Sequence, residues 1–393
     1  MATNQAIFNA IWDGASTSFK SRIPKMDSKN QAEIGALITS ANYTAEMNEW
    51  LTEAVNRIGM VLIHNNYLRN RLGKYIYGTM EFGDAIEELM VNVIKGEDYE
   101  PGTEGSTVDP FRITNPDVKA IYHKVNSRRK YRVTTYPDRA KRAFLNEGGL
   151  QTLISQIISQ LSSAAQLDDW ISIKNVFNVF INGHEIEPQA DQIVTVTPVT
   201  DNASGKEFIN TIKNLGTAMA FPTAKFNQMK ITKMVNPDEL TLFVRADLLN
   251  NIDVNVLSSA FNRSDLNLSP SGEGGTIKIE PMDDFGGVYP ADSSGNKIYP
   301  KYDAHGKVIG YTTTEDGSID ATPAKWVDPN KDVIAILAET RFPLITRQLE
   351  RAESIWNPEG LYWNNFMHMW SQYGYSAFMN AVIIKAVDST TTG

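Results

Sequence analysis

The 393-residue chain contains no cysteine. That absence excludes disulfide bonds, thiolate nucleophiles and cysteine-ligated metal sites. Histidine is sparse: His64, His123, His184, His305 and His368 are scattered, with no two spaced three or four residues apart. A metal or catalytic role for them would need convergence in the fold. No uncharged apolar run reaches the ~18 residues that suggest a membrane-spanning helix. The first residues, MATNQAIFNAIWDGAST, lack the basic start and long apolar run of a secretory signal. The expected setting is solution, inside a cell or after its lysis, with no membrane partner. An excess of positive charge is also missing. The formal net charge of −9 argues against a general nucleic-acid binder.

Motifs that carry catalysis are absent as well: no P-loop, no G-x-S-x-G, no G-x-G-x-x-G, no H-E-x-x-H. Asp283–Asp284 and Glu87–Glu88 are adjacent carboxylates. Neighbours in sequence point apart on a helix or strand, so these pairs read as solvated charge. The glycines at 272–275 precede nothing basic at P-loop spacing and read as a turn. No catalytic residue, metal ligand or cofactor is expected.

Aromatic residues, by contrast, are concentrated near the C-terminus. Trp356, Tyr362, Trp363, Phe366, Trp370, Tyr373, Tyr375 and Phe378 put eight rings in 23 residues, in a chain that is 10% aromatic. Such a stretch closes a core or anchors a large interface. Trp356, Tyr362, Trp363, Trp370 and Phe378 are the expected anchors.

Along the rest of the chain, residues 1–40 are weakly periodic and read as an arm with little core of its own. Met47, Trp50, Leu51, Ala54, Val55 and Ile58 form one face of an amphipathic helix, expected to end at Gly59 before a strand at 60–63. Leu150, Leu153, Ile154, Ile157, Ile158 and Leu161 give the cleanest helical stripe. Trp170, Ile173, Phe177 and Phe180 continue it, with Asp168 as an N-cap or hinge between them. This makes a helix of about 30 residues with one interruption. Mixed α/β patterning follows, with strands expected at 193–197, 240–244, 277–279 and 333–337 and helices at 206–219 and in the region up to 261. A repeat of Asp/Gly turns between 292 and 319 reads as exposed β-hairpins.

Charge is segregated between these parts. Glu81 to Asp109 holds nine carboxylates and one Lys, whereas Lys119 to Arg142 holds nine Lys/Arg and one Asp. A further basic tip comprises Arg69, Arg71 and Lys74. Long polar segments of opposite sign suggest extended ribbons. The basic block could touch phosphates, form a solvated face, or lie against the acidic ribbon of a neighbouring copy, where complementarity fixes register. The residues expected at such a subunit interface are Arg69, Arg71, Lys74, Glu87, Glu88, Arg128, Arg129, Lys130 and Arg132.

Several motifs occur together and in order. Phe19-Lys20-Ser21 with Pro24 and Ala32-Glu33-x-Gly35-Ala36 lie near the start, followed by Arg57-Ile58-Gly59-x-Val61-x-Ile63. Ala246-Asp247-Leu248, Asp253-Val254-x-Val256-Leu257 and Ala260-Phe261-Asn262 lie in the middle. Asn357-Pro358-x-Gly360-Leu361-Tyr362-Trp363-Asn364, His368-x-Trp370 and Phe378-x-Asn380-Ala381-Val382 lie near the end. With these the chain resembles the major capsid proteins of small, short-tailed, protein-primed phages, the Salas-virus and picovirus group. The resemblance implies an α+β chain with the Hong Kong 97-type shell fold. It implies an N-terminal arm at 1–40, a helix at 41–59, an extended loop at 60–136 and a peripheral domain with a spine helix at 137–185. An axial domain follows at 186–350, with a hairpin insertion near 288–325 that has no counterpart in the family. Residues 351–393 are expected to return to the peripheral domain, carrying the strand 382–384. The immunoglobulin-like domain that some relatives carry after that strand is not expected here, and no residue can be assigned to the Lys–Asn crosslink of some members.

The function so implied is non-covalent self-assembly, without enzymatic activity, into an icosahedral or prolate head around double-stranded DNA. Its partners would be copies of itself in hexamers and pentamers, with scaffolding, head-fibre and portal proteins. The packaged DNA would be met by non-specific contact. The chain would be assembled in the bacterial cytoplasm and reside in the virion. An encapsulin-type nanocompartment of the same fold is the nearest alternative, and a carboxylate-dependent hydrolase binding sugars on the aromatic strip is a remote one.

Overall fold

Three apolar runs, 240–245, 333–339 and 381–386, come together in one sheet because each is buried on both faces and needs neighbours on both sides. The computed structural model describes residues 4–27, 29–62, 70–79, 85–94, 96, 113, 115–145, 149–252, 266–267, 276–294, 296–302, 308–315 and 318–386. The chain divides into two compact units. The first comprises Met1–Ala85, Lys124–Ser172 and Ile345–Tyr373; the second comprises Ile86–His123, Ile173–Leu344 and Gly374–Gly393.

The first unit begins with helices α1 (Asn4–Gly14), α2 (Thr17–Arg22), α3 (Gln31–Ile38) and α4 (Thr44–Leu62). Residues 1–40 were expected to have little core, and here the structure differs. Phe8, Ile11, Phe19, Ile23, Ile34 and Ile38 are buried with Met47, Trp50, Leu51 and Trp363. The helices are too short for a clear apolar period, and side-chain bonds hold them instead. The Asn9 side chain exchanges two bonds with the Met26 backbone, both 2.9 Å, and the Trp12 indole N–H donates to the Ile23 carbonyl at 2.7 Å. Helix α4 also runs through Gly59 to Leu62, where a stop and a strand were expected. A glycine inside a helix costs about 1 kcal/mol, which neighbouring helical residues can offset.

This unit also contains a four-stranded sheet in the order β1 (Ile76–Thr79), β14 (Pro343–Asn357), β15 (Tyr362–Tyr375) and β4 (Ser127–Thr135). Strands β1 and β4 were expected in the extended loop. The backbone pairing of β4 with β15 from Ser127↔Ser371 to Thr135↔Trp363 makes them part of this sheet instead. Helix α5 (Pro137–Leu145) follows, then α6 (Gly149–Ile181), a single helix of 33 residues. The interruption expected at Asp168 is absent. A carboxylate within a helix needs only a partner, not a break, and Asp168 has one. In the first unit α6 buries Leu153, Ile154, Ile157 and Leu161.

In the second unit, the end of α6 buries Phe177 and Phe180. Phe177 meets Phe243 at 4.7 Å between ring centroids, and Phe180 meets Phe342 at 4.9 Å and Tyr375 at 5.4 Å. The central sheet runs β5 (Ile193–Val196), β16 (Ala381–Ala386), β13 (Val333–Glu339), β6 (Leu240–Arg245), β8 (Thr276–Met282) and β7 (Leu266–Asn267). Strand β16 lies parallel to β5 and antiparallel to β13. The strand at 382–384 was expected to return to the peripheral domain of the spine helix, 137–185. It is instead an inner strand of this sheet, where all four apolar residues Ala381–Ile384 are buried. Helix α7 (Asn202–Met219) covers the sheet with Phe208, Ile212 and Met219, and α8 (Ala246–Ile252) adds Leu248 and Ile252. The helix expected to reach residue 261 is seen to Ile252; 253–265 lie outside the described residues.

The insertion near 288–325 folds as two small pairs, β9 (Tyr289–Ala291) with β12 (Lys325–Val327) and β10 (Tyr299–Tyr302) with β11 (Val308–Thr312). Residues 86–123 contribute a two-stranded ribbon of β2 (Ala85–Val91) and β3 (Val118–Lys124).

Candidate assembly surface

Strand alternation sorts the expected interface residues onto distinct faces. On β4, Tyr131 and Val133 turn inward against the first unit's core. Arg128, Lys130 and Arg132 therefore share the opposite face, and all three are exposed. Their cross-strand partners on β15 are Trp370, His368 and Phe366. The outer face thus carries three cations, each opposite an aromatic ring, spaced ~7 Å apart along the strand. The Arg128 guanidinium lies 4.9 Å from the Trp370 ring centroid.

The same alternation decides the fate of the aromatic anchors. Trp363, on the inner face, is fully buried, and Trp356 packs tilted against it at 4.5 Å between ring centroids while remaining half-buried. Phe378 is buried in the second unit. Tyr362 and Trp370 were expected as core anchors too. They fall on the even-numbered, outward register of β15 and stay partly exposed. The single sequence concentration of rings therefore serves two faces.

Arg129 points the other way from its neighbours and pairs with Asp168 of α6 at 2.8 Å. Tyr131 donates its hydroxyl to the same carboxylate at 2.8 Å. The next residue, Asp169, repeats this arrangement with other strands. It is buried, forms an ion pair with Arg347 of β14 and accepts a hydrogen bond from the Tyr373 hydroxyl. Two consecutive carboxylates on one helix thus each hold an arginine and a tyrosine from the sheet. Burial, reinforced by the aspartates, pushes both phenols up from the ordinary tyrosine range. Burial alone would lower the Arg347 pKa, but the charges of Asp169 and Glu350 raise it overall. Sequence reasoning missed Asp169, Arg347 and Tyr373, because only the sheet brings them together.

On the ribbon, Glu87 and Glu88 point to opposite faces, as alternation requires. Glu87 accepts from the Tyr122 hydroxyl at 2.8 Å and raises its pKa. Glu88 meets the His123 ring nitrogen Nε2 at 2.8 Å. Leu89, Val91, Val118 and Tyr122 are exposed on the ribbon. Within the second unit the ribbon's base is tied down by the Lys119 ammonium donating to the Met229 carbonyl at 2.6 Å. The Thr232 N–H also donates to the Asn92 side chain at 3.3 Å. Arg71 and Lys74 are exposed on a short 3-10 turn; Arg69 lies outside the described residues, as do 81–84, 95 and 97–109 of the acidic stretch.

Asp283 and Asp284 were expected to be solvated and to diverge. Asp283 is exposed, but the two converge: both accept from the Lys174 ammonium, at 2.9 and 2.8 Å, because the chain leaves regular strand geometry after Met282. Gly286 and Gly287 make that close approach possible. Each has a φ of +79°, and a Cβ on Gly286 would lie 2.6 Å from the Lys174 carbonyl oxygen. Among the described residues no group of three or more His, Cys, Asp or Glu could hold a metal ion, and no helix is long and apolar enough to cross a membrane.

A long helix, a four-stranded sheet, a two-stranded ribbon and a six-stranded sheet are the parts of the Hong Kong 97-type fold of phage shell proteins. Solved structures agree on the fold. A chain from the capsid structure of Staphylococcus phage Andhra matches with a TM-score of 0.54 at 13% identity, covering 82% of this chain and 85% of that one. A chain from a structure described as head fiber and inner core protein gp22 of native bacteriophage P68 matches with a TM-score of 0.57, also at 13% identity, covering 81% and 85%. The model of the Phi29-like phage major capsid protein family matches residues 8–385, and the chain belongs to that family. The major capsid protein of Bacillus phage B103 is 29% identical over 97% of this chain and 73% of its own length. That of Bacillus phage PZA is 26% identical with the same coverage. The chain is thus a structural protein of the phage virion that forms the capsid shell.

Proposed function

We propose that copies of this chain close a head around double-stranded DNA by non-covalent contacts alone, arranged as hexamers and pentamers and without an enzymatic step. In this reading the first unit's sheet and the start of α6 form the peripheral domain. The central sheet forms the axial domain, and the β2–β3 ribbon is the extended loop. The observation that supports it best is the outer face of β4 and β15, where Arg128, Lys130 and Arg132 stand in one row. An acidic segment of a neighbouring copy, from Glu81 to Asp109, is the complementary surface, and Glu87, Glu88, Arg71, Lys74 and Arg69 take part in the same contacts. Complementary charge of this kind steers encounter and fixes register more than it adds affinity. Scaffolding, head-fibre and portal proteins are further proposed partners, and the packaged DNA is met without sequence preference.

A charge-swap pair tests the central contact. Arg128→Glu, Lys130→Glu and Arg132→Glu together leave Arg129 on Asp168, so the subunit is expected to fold while particles fail to form. Adding Glu97→Lys, Asp98→Lys and Glu100→Lys should restore particles seen by sedimentation and electron microscopy. Normal particles from the first triple variant would defeat the contact. Particles that form but never contain DNA would point to a nanocompartment instead.

A further inference from the structure

Asn182 and Gly183, at the end of α6, form the only Asn-Gly pair in the chain. The glycine is there for the fold. It has a φ of +64°, and the following His184 N–H donates to the Val179 carbonyl at 3.2 Å, closing the helix end. A Cβ at this position would also lie 3.1 Å from the backbone of Glu187. The pairing has a chemical consequence. With no side chain to hinder it, the Gly183 backbone nitrogen can attack the Asn182 side-chain carbon Cγ. The Cγ–Nδ2 bond breaks, ammonia leaves carrying the proton of the attacking nitrogen, and a succinimide ring remains. Water then opens the ring to aspartate or isoaspartate.

Hydrogen bonds restrain that reaction while the helix end is closed. The Gly183 N–H donates to the Phe180 carbonyl at 3.3 Å, which occupies the attacking group. The Asn182 amide donates to the Asn178 carbonyl and to the Asn178 side-chain oxygen, both at 2.9 Å, and reaches the Asn330 side-chain oxygen at 3.4 Å. The same asparagines hold both roots of the 288–325 insertion. The buried Asn330 amide donates to the Asn178 side-chain oxygen at 2.8 Å and to the Gly286 carbonyl at 3.1 Å. Asn182 itself is exposed, so water reaches it.

From this geometry we infer that Asn182 is a site of spontaneous, succinimide-mediated modification, and that its conversion unlatches the insertion. A carboxylate at 182 would face the Asn178 carbonyl and the Asn178 and Asn330 side-chain oxygens, acceptors all. Rotating the Asn178 amide to offer its N–H groups would set them against those of Asn330, donor against donor. Either way a bond to a buried group is lost. Conversion is one-way, so the converted fraction records how often the helix end has opened. The latch lies within one chain and acts whether or not a shell has formed.

Mass spectrometry of peptides from the folded, unassembled full-length chain follows conversion at Asn182. Asn178→Ala removes a restraining acceptor and should speed it by roughly tenfold, whereas Asn178→Asp keeps that acceptor and should stay near the parent rate. Asn182→Gln, whose longer side chain disfavours ring closure, should remain largely unconverted. Asn182→Asp should quicken hydrogen exchange of the Gly286 and Gly287 amides in a chain that still folds. Equal rates in the parent and a folded Asn178→Ala variant overturn the inference, as does conversion of Asn182→Gln as fast as the parent's. Unchanged exchange in a folded Asn182→Asp variant overturns it too. Should Asn178→Ala fail to fold, that exchange measurement decides alone.

Discussion

Asp169 lies on a helix with its carboxylate in the interior, where an unpaired charge would be prohibitive. Arg347 and Tyr373 make its burial possible, and the dependence is mutual. Asp169→Asn leaves the arginine buried without a counter-charge, and the expected loss is about 3–5 kcal/mol. Asp168→Asn removes the partner of a half-exposed Arg129, which solvent screens, so less than about 1 kcal/mol is expected. Denaturant melts of the two unassembled subunits should separate them clearly. The tyrosines set the alkaline limit. Tyr131 and Tyr373 titrate higher folded than unfolded. Their contribution is therefore complete below the unfolded value near pH 10 and is lost as pH rises toward the folded values. Tyr373→Phe should flatten the fall in thermal midpoint above pH 10; an unchanged slope would remove Tyr373 from that role.

At the scale of elements, the legible parts of the sequence were those whose burial repeats regularly. The stripe from Leu153 to Leu161 and the apolar runs of β6, β13 and β16 each bury in the pattern their period suggests. What escaped was structure made by tertiary contact. Helices α1–α3 carry too few turns for a period to emerge, and they are fixed by Asn9, Trp12 and the ring of Trp50, which stacks on Phe8 at 6.2 Å. The alternation of β15 was hidden because rings occupy both of its faces, so Trp363 and Trp370 looked alike. The left-handed turn at Leu361 had no glycine at the strained position to announce it. The first helices also alter what a truncation does. Removing residues 1–38 would expose Trp50, Leu51 and Trp363, so the remaining chain is expected to lose cooperative unfolding. A dispensable arm would instead leave a folded subunit that merely fails to assemble. Calorimetry of the truncated chain distinguishes the two.

For the whole molecule, a net charge of −9 divides into oppositely charged segments, and its sum says little about association. On the proposed contact, copies would repel weakly at long range and attract where an acidic segment meets the β4 face. Salt screens both effects over about 8–10 Å near physiological strength. If the attraction governs assembly, light scattering should show slower particle growth as salt rises from about 0.1 to 0.5 M. Faster growth would mean that general repulsion is the barrier and that apolar contacts drive closure.

The position of β16 between β5 and β13 also has a bearing on time. Residues 193–196 and 333–339 cannot complete their sheet until residue 386 has left the ribosome. A nascent chain can form its spine helix early, but it has no finished central sheet to offer a neighbour. The central sheet is thus completed only after every one of its other strands has been synthesised.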